Sequence, residues 1–202
     1  MITVVNYGLG NIGSILNMFR YLDIPCEIAS DLETIKNSSK LLLPGVGAFG
    51  HGMEELNKRN FTEVIKDKVH IEGTPILGIC LGMQLLCNSS DENAGIKGLG
   101  LIDGEVKRFK PSKNYPVPHM GWNTVNIVNS NALTKNLNEG CRFYFVHSFF
   151  VSPSKLSDVS MITTYQHDFA SMVANNNIFG AQFHPEKSHK HGMAFLKAFE
   201  SL

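Results

Sequence analysis

No run of like charge marks this sequence. Eighteen lysines and arginines offset eighteen aspartates and glutamates, so the basic footprint of a nucleic-acid binder is missing. Bilayer-spanning hydrophobicity is missing too: the most apolar stretch, Ile76 to Cys87, is interrupted by glycines and Gln84 and falls far short of the roughly 20 residues that a span needs. Cysteines number only four, Cys26, Cys80, Cys87 and Cys141, with no C-x-x-C pair, which argues against a disulfide framework. No repeat, low-complexity tract or Pro/Ser-rich linker divides the chain. No basic flank precedes the apolar residues of Met1 to Asn6, so a secretory signal is not expected and a cytoplasmic location is.

What is present is an ordinary globular composition, 43% hydrophobic and 18% charged over 202 residues. A chain of that length buries roughly 70% of the surface its unfolded form exposes, enough for one domain over 1–202 without staples. Short apolar runs at Ile2 to Val5, Cys26 to Ala29, Leu41 to Leu43 and Pro75 to Ile79 alternate with helical periodicity at Ile12 to Leu22 and Met53 to Val69. Pro75 to Ile79 is apolar on both faces, as fits a parallel strand covered by helices on both sides. From Glu105 onward, strand-like segments follow one another: Glu105 to Phe109, Trp122 to Val128, Phe143 to Val151, Val159 to Tyr165, Phe169 to Ala174 and Ile178 to Phe183. Asn175-Asn176-Asn177 reads as a hairpin turn between the last two, and a helix over Gly192 to Ser201 closes the chain. The fold class is therefore α/β: a three-layer sandwich whose central sheet is mixed but largely parallel, with helices on both faces.

Two glycine motifs compete. Gly8-Leu9-Gly10-Asn11-Ile12-Gly13 follows a strand and opens a helix, with Asp31 downstream, which is the spacing of a dinucleotide-binding turn. Glycines at such a turn also serve tight geometry alone. The second motif, Gly78-Ile79-Cys80-Leu81-Gly82, lies between an apolar strand and an apolar helical run. It is the G-x-S-x-G nucleophile elbow with sulfur in place of oxygen. A cysteine there would meet the N–H groups and dipole of a helix start, which favour a thiolate; the bland alternative is a small buried hydrophobe.

A thiolate nucleophile needs an imidazole. His184 ends a strand-like run, and Pro185 biases it toward extended geometry. Residues i and i+2 of an extended segment share a side, so Glu186 can orient one ring nitrogen while the other faces Cys80. His189 and His191 also raise a metal hypothesis, but no ligand pattern completes a site, and neither metal nor cofactor is expected. Attack on a carbonyl requires donors for the developing oxyanion. Leu81 N–H is one, and the glycine loop after Leu41 to Leu43, Pro44-Gly45-Val46-Gly47, can supply the other.

Pro44-Gly45-Val46-Gly47, Gly78 to Gln84 and Gln182-Phe183-His184-Pro185-Glu186 together resemble the class I glutamine amidotransferases, whose triad is Cys-His-Glu. Pro118-His119-Met120-Gly121-Trp122-Asn123 and Tyr144-Phe145-Val146-His147-Ser148 narrow the resemblance to the glutaminase subunits of imidazole glycerol phosphate synthases, which serve histidine biosynthesis. The resemblance implies Cys80 as nucleophile, His184 as general acid/base and Glu186 as its orienter. It implies an oxyanion hole at Gly45, Val46, Gly47 and Leu81, and substrate contacts from Gln84, Glu92, His147 and Ser148. It places Met120, Trp122, Asn123, Tyr144 and Lys187 at a partner interface.

Two positions depart from the family pattern: Asn6 replaces a usual aspartate and Phe149 a usual tyrosine. Gly10 to Ile15 and Lys187 to Lys190 look rather like a related branch that feeds sugar amidation in surface polysaccharide pathways. Ammonia released into water is protonated and loses its lone pair, so a glutaminase of this kind is expected to hand it to a synthase or cyclase subunit in a heterodimer.

Overall fold

Strand and helix alternate as far as Leu85 in the computed structural model, which describes residues 1–202: β1 (Ile2–Val5), α1 (Ile12–Tyr21), β2 (Cys26–Ala29), α2 (Leu32–Lys36), β3 (Leu41–Leu43), α3 (Phe49–Lys58), α4 (Phe61–His70), β4 (Ile76–Ile79) and α5 (Leu81–Leu85). Strands then dominate: β5 (Ser89–Ser90), β6 (Gly104–Arg108), β7 (His119–Thr124), β8 (Asn126–Ile127), β9 (Arg142–His147), β10 (Phe149–Pro153), β11 (Val159–Thr164), β12 (Asp168–Asn175) and β13 (Ile178–Ala181), followed by α6 (His189–Glu200).

The central sheet runs β2-β1-β3-β4-β13-β12-β10-β6-β5, with β11 and β8 branching from β12. Its first five strands are parallel, and the run turns antiparallel at β12 and β10. Period-2 alternation sorts the side chains between two layers. Val5, Leu41, Leu43 and Ile76 pack with residues of α2 to α5 on one face. Ile2, Val4, Leu42, Leu77 and Ile79 pack with Ile15 and Phe19 of α1 and Phe195, Leu196 and Phe199 of α6 on the other. Both faces being covered explains why β3 and β4 carry no polar side chain and β1 only Thr3, whose hydroxyl donates to Glu27.

Several boundaries differ from the sequence expectation. The pattern over Met53 to Val69 is two helices, because Asn60 at φ 60° breaks α3 from α4. Phe143 to Val151 is two strands that part at Ser148, since β9 pairs with β7 while β10 joins the central sheet. Trp122 to Val128 likewise divides into β7 and β8. The last helix starts at His189 rather than Gly192, and the short α2 carries no strong periodicity to announce it.

Register positions the site. β13 lies parallel to β4 with Ala181 opposite Ile79, and Cys80 N–H donates to the Ala181 carbonyl at 2.7 Å. Residues just beyond the carboxyl ends of these neighbours, Cys80 and His184, are thus delivered to one place, where ligands of parallel sheets bind.

Candidate active site

Cys80 sits at φ 54°, ψ −108°, a conformation that L-residues rarely adopt, on the sharp turn between β4 and α5. The turn is tight enough that a Cβ on Gly78 would lie 2.6 Å from the Gly82 carbonyl carbon, and one on Gly82 would fall on the Leu43 carbonyl oxygen. Gly82→Ala is therefore expected to cost about 3 kcal/mol through overpacking against backbone that cannot yield. That corresponds to a melting point lower by roughly 6–12 °C, measurable by scanning calorimetry.

Cys80 opens onto a cavity of about 350 Å³. Val46 and Gly47 form one wall, Gln84 and Glu92 another, and Val146, His147, Ser148 and His184 a third. His184 is held by its backbone N–H on the Tyr144 carbonyl at 2.9 Å, and Ser188 Oγ donates to its carbonyl at 2.6 Å. Its Nδ1 lies 2.7 Å from Glu186 Oε1. Glu186 reaches that position from a 3-10 turn, Pro185–Lys187, and not from an extended strand; the contact forms, by a different local geometry from the i, i+2 alternation expected. His184 Nε2 has no hydrogen-bond partner in the protein, and His184 and Cys80 line the same cavity. Burial alone would lower the His184 pKa, but the Cys80 sulfur and the Glu186 carboxylate outweigh it and raise it to about 10.

The other expected residues fall into three groups. Gln84 donates to the Phe149 carbonyl and to Gln182 Oε1, both at 3.1 Å, while the Glu92 carboxylate accepts from Phe49 N–H at 2.7 Å at the start of α3. His147 is buried beside the cavity, its ring bonded to His119 and the Phe149 carbonyl. Gly45 does not line the cavity: it packs against Tyr7 and Leu81, and its carbonyl accepts the Leu81 N–H at 3.3 Å. That donor is thus engaged within the protein.

Met120, Trp122, Asn123, Tyr144 and Lys187 gather on and beside the β7–β9 ribbon. Trp122 pairs with Tyr144 across it, Lys187 Nζ lies 5.7 Å from the Tyr144 ring centre, and Met120 is exposed. Asn6 donates to Ser30 Oγ outside the cavity, and Phe149 lines the cavity, where its carbonyl accepts from Gln84 and His147.

Sequence reasoning passed over Gln182, whose Nε2 lies 3.7 Å from Cys80 Sγ, and Pro118, which lines the cavity. Gln182 stood in plain view, one residue before Phe183 in the histidine motif. The N-terminal glycines serve the turn: Gly8 and Gly10 adopt φ of +93° and +115°, and a Cβ at Gly10 would lie 3.2 Å from Pro44. Asp31 caps α2 by accepting from Thr34 N–H at 2.8 Å rather than facing that turn. His184, His189 and His191 are directed to Glu186, Trp122 and Phe143 respectively, and no three His, Cys, Asp or Glu side chains are grouped to hold a metal ion. No helix is long and apolar enough to cross a membrane.

A buried cysteine on a strained elbow, an imidazole held by a carboxylate and a cavity that both of them line form an arrangement suited to acyl transfer. The family model for class I glutamine amidotransferases matches residues 3–200. A Methanococcus maripaludis protein, imidazole glycerol phosphate synthase subunit HisH 2, is 47% identical over 98% of each chain. Its Pseudomonas aeruginosa namesake is 43% identical over the whole of both chains. Among solved structures, a glutamine amidotransferase superposes with a TM-score of 0.74 at 15% identity, covering 98% of each chain, and PurLQS from Thermotoga maritima gives 0.74 at 18%, covering 99% of this chain and 97% of that one. The chain belongs to the class I glutamine amidotransferases.

Proposed function

We propose that this chain, acting as one domain, is the glutaminase subunit of an imidazole glycerol phosphate synthase, hydrolysing glutamine and passing ammonia to a synthase or cyclase subunit. The observation that carries the reading is end-to-end similarity, 47% identity over 98% of both chains, to a relative so named. The cavity supplies the chemistry. Cys80 thiolate attacks the carboxamide carbon of glutamine, and the imidazolium of His184 protonates the departing nitrogen, releasing ammonia and leaving a thioester. His184, now neutral, takes a proton from water; the hydroxide attacks the thioester, glutamate leaves, and thiolate and imidazolium are restored. Glu186 holds the ring and stabilises its charged form. Glu92 offers a carboxylate to the substrate's α-ammonium, with Gln84 and the His147–Ser148 segment beside it.

The oxyanion requires N–H groups from Leu81 and the Val46–Gly47 loop. With Leu81 N–H on the Gly45 carbonyl, the loop has to release it before the hole is complete. Docking of the synthase on the neighbouring β7–β9 ribbon supplies the release in this account. The isolated chain is accordingly expected to hydrolyse glutamine slowly, and at least ~10²-fold faster with the synthase subunit and its acceptor substrate, the range for an oxyanion-hole donor gained. Full activity in isolation would indicate a free-standing glutaminase. Activation only by a sugar-amidating synthase would assign the same chemistry to the polysaccharide branch.

A further inference from the structure

Hydrogen bonds behind the cavity run in one direction from the β7 surface to the Phe149 carbonyl, and a second set runs from that carbonyl to Cys80. His147 Nδ1 lies 2.8 Å from the Phe149 carbonyl, which can only accept, so Nδ1 carries the proton and Nε2 is an acceptor. His119 Nδ1, 2.9 Å from that Nε2, therefore donates. His119 Nε2 in turn accepts from Asn123 Nδ2 at 3.2 Å. Both rings are neutral at pH 7, as this order requires: burial pushes His147 down to about 3 and His119 down to about 4.

The Phe149 carbonyl also accepts from Gln84 Nε2, whose other proton goes to Gln182 Oε1, each at 3.1 Å. With Oε1 committed, the Gln182 amide has one orientation, and its Nε2 faces Cys80 Sγ at 3.7 Å. Gln182 has no exposed surface. An amide in such a place costs stability unless its groups are paired, and the sulfur is the only side-chain partner of its N–H group.

We infer that Gln182 is a further residue of the catalytic machinery, one that touches the reacting sulfur. Its N–H favours the negatively charged sulfur over the neutral one and fixes where the sulfur points, while Gln84, His147 and His119 fix the amide. The inference rests on Cys80 being the nucleophile. It deepens that reading by giving the sulfur a hydrogen-bonded donor, which His184 Nε2 is not.

The test is Gln182→Met, which keeps the volume and removes the donor. In the folded variant, alkylation of Cys80 by iodoacetamide at pH 7, followed by peptide mass, is expected to slow roughly tenfold, the loss of one hydrogen bond to a charged group. The kcat for glutamine should fall by a similar factor, because less of the sulfur is ionised, with KM within about twofold. Alkylation at the unaltered rate would overturn the inference. Should Gln182→Met fail to fold, the unmutated chain decides. Alkylating Cys80 should shift the Gln182 side-chain amide in ¹⁵N–¹H spectra, and an unmoved signal would overturn the inference equally. Alkylation reads the sulfur without turnover, so slowed alkylation supports the contact even in a chain that makes no glutamate, an outcome that would overturn only the glutaminase reading.

Discussion

Cys80→Ala should lower glutaminase turnover by roughly 10⁴- to 10⁶-fold, the range for removing a covalent nucleophile, while the protein remains folded. The two halves of that expectation have separate causes. Turnover is lost because no other cysteine lies on the cavity: Cys87 and Cys141 are buried elsewhere, and Cys26 is on β2. The fold survives because the lost sulfur faces an open cavity, so no closed void is left behind. The strain at φ 54° is unchanged in alanine and relieved in glycine. Cys80→Gly should therefore be more stable than Cys80→Ala, by up to about 1 kcal/mol, and equally inactive. Steady-state glutamate release and thermal melting of the same preparations check both halves.

Replacing His184 with asparagine is expected to reduce turnover by roughly 10²- to 10⁴-fold, the range for a general acid–base. Glu186→Gln should act differently, through pH. The His184 imidazole is raised from 6.5 to about 10 against burial, with the Cys80 sulfur and the Glu186 carboxylate as the causes. Its charged form therefore persists through neutral pH, and the alkaline limb of glutaminase activity lies near the upper end of that interval. Removing the carboxylate charge moves the limb to lower pH, which a pH–rate profile of Glu186→Gln measures. Stability follows the same sign. The pair contributes fully below the ordinary histidine value and the contribution is lost as pH rises toward the folded value. Melting points of the unmutated chain should fall between about pH 6.5 and 10, and those of Glu186→Gln less steeply. An unmoved alkaline limb in Glu186→Gln would show that the carboxylate does not set the proton on His184.

How much of this was legible in the residues depends on the range of the interaction involved. The parallel strands were readable because Ile2–Val5, Leu41–Leu43 and Ile76–Ile79 are buried on both faces, and a run with at most one polar residue, here Thr3, is a local signal. The elbow was readable because glycines at 78 and 82 are demanded by contacts within a few residues and with β3. Two strands in Phe143 to Val151 were not, because the break at Ser148 comes from a change of partner, β7 for β9 and β6 for β10, and a change of partner leaves no mark on periodicity. The His184–Glu186 contact was expected for an inexact reason: adjacency in sequence allowed it in either an extended strand or a 3-10 turn, and the proline favoured the turn. Gln182 was passed over because its significance depends on Gln84 and Cys80, far away along the chain. The engagement of Leu81 N–H by the Gly45 carbonyl is likewise a tertiary fact.

The most direct measurement is the mass of the chain quenched in acid during turnover with glutamine, followed by peptide mapping. A γ-glutamyl group on the peptide that contains Cys80, absent from Cys80→Ala, is the result expected if the sulfur on the β4–α5 turn forms the thioester. Glutamate release without any adduct on Cys80, or with the adduct on another residue, would contradict it.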